Sequence, residues 1–220
     1  MIFARSARAD ASQKHLKNGL AVFEALNAQT VQTVRSTGLP YFISSEKDQV
    51  GAGFGDRFTH AIQEVYDLGF ENVITVGNDS PHLRAKHILQ TVAYLEDKPL
   101  VLGPSQDGGF YLMGLHRSQF NATTFLKLPW QTANLMQSIV RLLNAKKIKC
   151  AFLETLVDLD VVADVHEILR SSKTLNYQIR ELLADAIAFF VPVSEYNIPS
   201  FDFPFEASAF NKGSPVLVNC

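Results

Sequence analysis

The chain has 220 residues, of which 47% are hydrophobic and 19% are charged, so it contains ample material for a folded core. This length fits one α/β domain with an additional C-terminal segment better than two full domains. The net charge of −2 argues against a dedicated nucleic-acid-binding or membrane-surface protein, because such proteins concentrate basic residues on one face.

The cysteines and the N-terminus indicate the compartment. Cys150 lies in an apolar run and Cys220 is the last residue, so the sequence predicts neither a disulfide framework nor a thiolate metal site. The first ten residues contain no apolar run long enough for a signal peptide, and no stretch approaches the length of a membrane span. We therefore expect a cytoplasmic protein.

Apolar residues at helical spacing alternate with short apolar runs through the first 170 residues. The spacing predicts helices that include residues 16–26, 58–65, 88–95, 135–142 and 165–169, and the runs predict strands at 41–44, 72–76, 99–103, 110–115 and 150–153. Strands that alternate with helices indicate right-handed crossovers. The sequence therefore predicts a three-layer α/β/α fold with a mainly parallel sheet.

The sequence changes character after residue 171. Leucine and isoleucine residues between 175 and 183 predict one more helix, and four prolines in the remaining tail exclude a long central strand. Phe201, Phe203 and Phe205 alternate with other residues, a pattern typical of an edge strand. We therefore divide the chain into a domain of residues 1–170 and a C-terminal segment of residues 171–220. We expect this segment to pack on the domain or, less favoured, on a second subunit as a homodimer contact.

Asp79 follows the predicted strand 72–76 after Gly77 and Asn78, in the stretch VITVGNDSPHL. Ligands of open α/β sheets bind beyond the carboxyl ends of the strands, and a carboxylate there can hold a divalent cation together with phosphate oxygens. The alternative is an Asx turn or an N-cap for the following helix. Considered alone, Asp79 favours that alternative.

A second acidic stretch, TLVDLDVVADV, places Asp158 and Asp160 after the predicted strand 150–153. Asp160 could be a helix N-cap and Asp158 a turn residue. However, carboxylates from two separate strand ends are the usual way to hold Mg²⁺ or Mn²⁺ with a diphosphate. Asp79 and Asp160 together therefore predict a metal site, and Asp158 is a candidate substrate-binding residue.

The stretch LGPSQDGGFYLMGL contains Asp107-Gly108-Gly109 between two predicted strands. A hairpin turn explains these residues as well as a functional role does, in which paired glycines let the backbone approach a substrate and Asp107 accepts hydrogen bonds from hydroxyl groups.

The stretch LPWQTANLM contains Trp130, the only tryptophan, and Thr132. An N-cap role is the favoured interpretation of Thr132. Trp130 could form the wall of an acceptor pocket, or equally belong to the core.

The stretch GAGFGD, residues 51–56, is similar to a dinucleotide-binding fingerprint, but its last glycine comes one residue early. It also follows a polar run rather than a strand. We therefore interpret it as a flexible loop.

Four stretches in order resemble a bacterial family of GT-A-like transferases that is often encoded with radical-SAM or selenium-linked domains and is related to the guanylyltransferases of deazaflavin cofactor synthesis. The stretches are VITVGNDSPHL, VLGPSQDGGFYLMGL, LPWQTANLM and LVDLDVVADVHEIL. They are similar to the family patterns G-S-D-C-P-x-L, L-G-P-x-x-D-G-G-Y-Y-L-x-G-L, P-W-S-T and D-x-D-T-P-x-D-L, with Asn78 and Ser80 standing where serine and cysteine are common. The resemblance covers residues 3–169 and implies a nucleotide-diphospho-sugar transferase fold. It also implies that Asp79 and Asp160 hold a metal ion on the phosphates of a nucleotide.

The opening stretch FARSARADASQKHL departs from the family pattern F-A-[KR]-x-P-x-P-G-x-x-K-T-R-L. Asp10 replaces the glycine, Gln13 the lysine and His15 the arginine, and Asp10 would repel phosphates. No glycine occurs before Gly19, so close backbone approach to a phosphate is not expected there. A further departure is the loss of the Thr-Pro pair after Asp160.

The residues expected to contact the nucleotide are Arg5, Lys14 and Asn78. The leading hypothesis is a metal-dependent transferase that uses a nucleotide or nucleotide-sugar donor and a small-molecule acceptor. Glycosyl transfer is slightly preferred over nucleotidyl transfer, because the latter depends more on the altered opening stretch. The alternative is a catalytically impaired relative that binds a ligand or serves in assembly.

Overall fold

The computed structural model of the protein describes residues 1–188, which form one sheet with helices on both faces. The strands are β1 (Ile2–Phe3), β2 (Ile43–Ser44), β3 (Asn72–Val76), β4 (Leu100–Pro104), β5 (Phe110–His116) and β6 (Cys150–Phe152). The helices are α1 (Ala7–Lys14), α2 (Gly19–Arg35), α3 (Phe54–Asp67), α4 (Ala85–Leu95), α5 (Ala122–Leu126), α6 (Leu135–Lys146), α7 (Val162–Arg170) and α8 (Tyr177–Ile187).

The six strands lie in the order β2-β1-β3-β5-β4-β6. The pairs β1–β2, β1–β3 and β4–β6 are parallel, whereas β5 runs antiparallel to both of its neighbours. Only β5 therefore runs against the common strand direction. The predicted mainly parallel sheet is confirmed, and the antiparallel strand follows from the tight β4–β5 connection, which is too short for a crossover helix.

The three layers follow from the alternation of side chains along the central strands. Leu100 and Leu102 pack in the cluster formed with α3, α5 and α6, whereas Val101 between them packs in the cluster on the other face with α2 and α4. Successive side chains of a strand point to opposite faces, so an all-apolar strand is buried on both sides. The prediction from the apolar run 99–103 is confirmed.

α8 packs on α2 and α7 through a third apolar cluster that contains Ile179 and Leu183. The predicted helix in this region is thus confirmed, and it lies against the domain. The expectations of an edge strand at Phe201, Phe203 and Phe205, and of a homodimer contact through the tail, lie outside the described residues. Among residues 1–188, no helix combines the length and apolar character that crossing a membrane would require.

Two segments form helical structure that the sequence pattern did not predict. The opening stretch forms helix α1, which begins after the N-cap Ser6 and ends where His15 adopts a left-handed conformation with φ 45°. Residues 54–56, expected to be part of a flexible loop, form the first turn of α3, where the Asp56 carboxylate accepts a hydrogen bond from the Gly53 N–H at 2.9 Å. The loop prediction is therefore wrong for the second half of GAGFGD, because Asp56 caps the helix from inside.

Candidate functional site

A cleft of about 420 Å³ opens at the carboxyl ends of the parallel strands. Its lining includes the residues that follow β1, β3 and β4 and the acidic stretch that follows β6. Ten of the eleven predicted site residues line this cleft: Arg5, Lys14, Asn78, Asp79, Asp107, Gly109, Trp130, Thr132, Asp158 and Asp160. The fold therefore brings together side chains that lie up to 155 positions apart in the sequence.

Asp79 and Asp160 converge on one cation, which is the ammonium group of Lys14. The Lys14 Nζ lies 2.9 Å from Asp79 Oδ2 and 2.9 Å from Asp160 Oδ1. It also donates a hydrogen bond to the Leu159 carbonyl at 2.8 Å. Burial on its own would lower the pKa of Lys14, but the two carboxylates raise it above its ordinary value, so the ammonium stays charged.

The backbone fixes how close the two acids are. The Leu159 N–H donates to the Asp79 carbonyl at 2.8 Å, so the stretch after β3 and the stretch after β6 are joined directly before Asp160. Neither acid serves as the N-cap of a helix: Arg84 precedes α4 and Val161 precedes α7. The capping interpretations of Asp79 and Asp160 are therefore wrong.

Asp164 caps the start of α7, which leaves the Asp160 carboxylate available to the cleft. Its carboxylate accepts the backbone N–H groups of Asp160 and Val161, each at 2.8 Å, and so satisfies donors at the start of α7. The N-terminal turn of the helix thus needs no oxygen from Asp160.

The arrangement fits a divalent cation only under one condition. The carboxylates of Asp79 and Asp160 share one cation position, as the resemblance to metal-dependent transferases requires. That position is filled by Lys14, and a divalent ion with its oxygen ligands could not occupy it at the same time. Among the described residues, no group of three or more His, Cys, Asp or Glu side chains is arranged to hold a metal ion. The acids therefore fit Mg²⁺ or Mn²⁺ only if Lys14 withdraws.

Asp158 lies beside this cation position and accepts a short hydrogen bond from the Ser80 hydroxyl. Burial, reinforced by the negative charge of Asp79, raises the pKa of Asp158 to about 8. The side chain is consequently held protonated at neutral pH and can donate as well as accept a hydrogen bond.

Asp10 forms a buried polar pair with Asn78 at the base of the cleft. Asp10 is 5% exposed, and its Oδ2 accepts a hydrogen bond from the Asn78 amide nitrogen at 2.9 Å. Burial raises the pKa of Asp10. The same amide nitrogen donates to Asn27 Oδ1 at 2.6 Å, so its donors are directed at protein groups. The nucleotide-contacting role of Asn78 stays a prediction.

The Asp107-Gly108-Gly109 stretch forms the turn between β4 and β5. Asp107 Oδ1 accepts the Gly109 N–H at 2.9 Å and the Ser105 hydroxyl at 2.5 Å, which tightens the turn. Gly108 has φ 90°, and a Cβ there would lie 2.2 Å from the Ala133 carbonyl oxygen. Gly108 is therefore needed for the turn itself, while Asp107 and Gly109 line the cleft.

The other end of the cleft is aromatic. Trp130 lies 5.5 Å from Phe54 and 5.2 Å from Phe58 between ring centroids, and its indole N–H donates to the Phe125 carbonyl at 2.7 Å. Phe3 and Phe110 complete this wall. Trp130 is thus both a core residue and a wall of the cleft.

Thr132 also borders the cleft, but it is not an N-cap. Its hydroxyl donates to the Pro129 carbonyl at 2.8 Å, and α6 begins later, after Asn134. The N-cap interpretation of Thr132 is therefore wrong. Its substrate-binding role stays a prediction.

The cleft residues that sequence reasoning missed include Gln49, Phe54 and Arg57. Phe54 and Arg57 belong to the first turn of α3; Phe54 lies in the stretch 51–56 interpreted as a loop, and Arg57 directly follows it. Arg5, a predicted nucleotide contact, donates a short hydrogen bond to Gln13 at the mouth of the cleft. The cationic groups of the lining are therefore Arg5, Lys14 and Arg57, of which Lys14 is held by the acids.

The solved structures with a similar fold include one from Desulfovibrio desulfuricans G20, described as a "putative nucleotide-diphospho-sugar transferase". The alignment has a TM-score of 0.70 at 18% sequence identity and covers 84% of this chain and 93% of that chain. This likeness supports the GT-A-like fold that the motifs imply. No curated protein sequence matches the chain.

Two mycobacterial structures are more distant. Rv0371c from Mycobacterium tuberculosis H37Rv aligns at 11% identity and a TM-score of 0.45, over 77% of this chain and 96% of that one. Its homologue from Mycobacterium sp. strain JC1 aligns at 13% identity and a TM-score of 0.44, over 83% of this chain and 96% of that one. At this level of similarity they add nothing to the fold assignment.

The sequence also matches a described family over more than half of its length. Residues 11–132 match the family described as "Uncharacterized protein conserved in bacteria (DUF2064)". This range contains Lys14, Asp79, the Asp107 turn and Trp130. Neither the family match nor the likeness to solved structures bears on the relationships to radical-SAM domains or to deazaflavin cofactor synthesis. Those relationships remain expectations that rest on the resemblance of the motifs. The chain therefore belongs to the DUF2064 family and has a GT-A-like α/β fold.

Proposed function

We propose that this protein is a transferase that binds a nucleotide or nucleotide-sugar donor in the cleft and transfers a group to a small-molecule acceptor. The observation that carries this proposal is the convergence of Asp79 and Asp160 on one cation at the carboxyl end of the sheet. In open α/β folds this is where ligands bind, and a cation held there can neutralise a diphosphate. The volume of the cleft lies in the range of small-molecule sites.

Glycosyl transfer is the preferred chemistry. In that reaction the bond between the anomeric carbon of the sugar and the diphosphate oxygen breaks, the acceptor oxygen takes the sugar and loses its proton, and a nucleoside diphosphate leaves. Nucleotidyl transfer instead breaks a bond at the α-phosphate and releases pyrophosphate. It requires more contacts from the opening stretch to the triphosphate. That stretch forms helix α1, which contains no glycine and places Asp10 in the cleft.

Mg²⁺ or Mn²⁺ belongs to this proposal as the cofactor. Asp79 and Asp160 would hold it in place of the Lys14 ammonium, and the bound ion would neutralise charge on the departing phosphate. The chain's own residues would shape the rest of the site. Asp107 and Thr132 offer polar contacts, and Trp130 with its neighbouring rings offers an aromatic surface for a base or acceptor.

The second candidate is a catalytically impaired relative that binds a ligand or serves in assembly. Two observations favour it. Asp10 adds an acidic side chain to a cleft that already contains the carboxylates of Asp79 and Asp160, and Lys14, a predicted phosphate contact, is bound to both of these. Without a further cation this end of the cleft is a poor partner for a diphosphate.

A ligand screen separates the two candidates. We expect one nucleotide or nucleotide-sugar, together with Mn²⁺, to raise the stability of the protein. At a ligand concentration of about 100 times Kd the gain is about 2.7 kcal/mol, which a thermal-shift assay detects. Asp79→Asn should abolish this shift. The matched control is Asp97→Asn, an exposed residue after α4 that does not line the cleft.

The products then identify the chemistry. Release of a nucleoside diphosphate from the stabilising donor indicates glycosyl transfer, and release of pyrophosphate indicates nucleotidyl transfer. If no nucleotide or nucleotide-sugar shifts the melting temperature with or without Mn²⁺, the transferase proposal is refuted and the second candidate is favoured. If a shift persists in Asp79→Asn, the donor binds elsewhere.

A further inference from the structure

Lys14 occupies the position that a divalent cation would need. Its Nζ lies 2.9 Å from one oxygen of each acid, and it also donates to the Leu159 carbonyl between them in the fold. The Lys14 side chain is 14% exposed, whereas those of Asp79 and Asp160 are 28% and 46% exposed, so the lysine is largely shielded while both acids remain accessible from the cleft. Lys14 is the last residue of α1, and His15 follows it in a left-handed conformation.

We propose that Lys14 is the resident cation of the site and that a divalent cation enters only in exchange for it. This inference rests on the proposed function, since it specifies how the donor and the metal bind to the same cleft. In the protein without donor, Lys14 holds Asp79 and Asp160 together and keeps the metal out. When the donor and the metal arrive, the metal takes the two carboxylates and the Lys14 ammonium is released to the phosphates.

The charges at the site explain why the exchange needs both ligands. Two carboxylates and one ammonium carry a net charge of −1, which repels a diphosphate. With a divalent cation on the acids that local charge becomes neutral, and the released Lys14 adds one positive charge beside it. Each ligand thus prepares the site for the other, so metal and donor binding are coupled and the coupling is reciprocal.

A purely structural role for Lys14 predicts a different pattern. If Lys14 only stabilised the fold, its removal would weaken metal binding and donor binding together, because the cleft would lose its shape. The exchange model predicts opposite changes: tighter metal binding, since the competitor is gone, and weaker donor binding, since a phosphate contact is gone. The direction of the two changes therefore separates the interpretations.

The test measures Mn²⁺ binding by electron paramagnetic resonance, without nucleotide, in the wild type and in Lys14→Met. We expect Lys14→Met to bind Mn²⁺ about tenfold to a hundredfold more tightly than the wild type, a change of the size typical of coupled binding events in proteins. The tighter binding should disappear in the double variant Lys14→Met with Asp79→Asn. Lys149→Met, an exposed lysine outside the cleft, is the matched control and should behave as the wild type.

A second arm uses the wild type alone and so does not depend on a variant that folds. The nucleotide that gives the largest thermal shift should tighten Mn²⁺ binding to the wild type beyond what the Mn²⁺–nucleotide complex in solution accounts for. The same nucleotide should bind more weakly to Lys14→Met. Equal Mn²⁺ affinities of the wild type and Lys14→Met without nucleotide would overturn the exchange, and so would an absence of Mn²⁺ binding by both.

The two proposals fail in different ways. If Lys14→Met gains Mn²⁺ affinity but no nucleotide binds to any variant, Lys14 is the resident cation and the transferase proposal is wrong. If nucleotides bind and Mn²⁺ affinity is indifferent to Lys14, the transferase proposal survives and the exchange does not.

Discussion

Protonation of His82 should destabilise the protein below neutral pH. The ring follows β3 in the SPHL stretch and is 2% exposed, and neither of its nitrogens has a hydrogen-bond partner among the described residues. Burial, together with the positive charges of Lys173, Arg84 and Arg180, lowers the pKa of His82 to about 4, and Glu154 opposes this only in part. The folded protein therefore keeps the ring neutral, whereas the unfolded chain titrates near pH 6.5.

The sign of the effect follows from proton binding. Between pH 6.5 and pH 4 the unfolded chain binds a proton at His82 that the folded chain does not bind, so the stabilising contribution present at neutral pH is lost as the pH falls. One pKa unit corresponds to about 1.4 kcal/mol, so the His82 contribution should fall by about 2 to 3 kcal/mol between pH 7 and pH 4.5.

Urea unfolding of the wild type and of His82→Gln at pH 7 and pH 4.5 measures the contribution of His82 to the pH dependence of stability. The free energy of unfolding should fall more steeply with pH in the wild type than in His82→Gln, by the amount given above. His60→Gln replaces a half-exposed histidine of α3 and serves as the control for a histidine substitution that leaves the buried His82 ring in place. Parallel pH slopes for the wild type and His82→Gln would refute the reasoning, as would a His82 ring resonance that titrates near pH 6.5 in the folded protein.

Two further substitutions test the packing and the cap beside the cleft. In Gly55→Ala the new Cβ would lie 2.3 Å from Trp130 Cδ1. We therefore expect the free energy of unfolding to fall by about 1 to 3 kcal/mol and the tryptophan fluorescence maximum to shift. The control Gly19→Ala, whose new Cβ would lie no closer than 3.5 Å to another atom, should be tolerated. An unshifted spectrum and unchanged stability would show that Trp130 is not packed on α3. Asp164→Ala leaves two N–H groups at the start of α7 without their acceptor and should cost about 1 kcal/mol in urea unfolding, with Asp185→Ala of α8 as the exposed control. Equal losses in both aspartate variants would contradict the capping role.

Strand positions and the acids at their ends could be predicted because each leaves a local signal. The run NVITV is apolar and β-branched, and β3 occupies the same five residues. Because the residues after such a run lie at the carboxyl edge of the sheet, the sequence could place Asp79 there. Its contact with the stretch that contains Asp160 is long-range, since β5 and β4 lie between β3 and β6 and the Leu159 N–H binds the Asp79 carbonyl across that distance.

Helix α1 and the aromatic wall could not be predicted in the same way. The segment ARADASQK buries only Ala7 and Asp10, so its sequence has no apolar periodicity that would indicate a helix. The direction of the Lys14 side chain depends on that helix and was therefore missed. Phe3, Phe54 and Trp130 meet across three separate stretches of chain, and no local pattern relates them.

The hydrogen bond between the Leu159 N–H and the Asp79 carbonyl joins the loop after β3, which carries Asp79, to the loop after β6, which carries Asp160. A residue inserted into either loop would displace both carboxylates, so the lengths of the two loops can change only together.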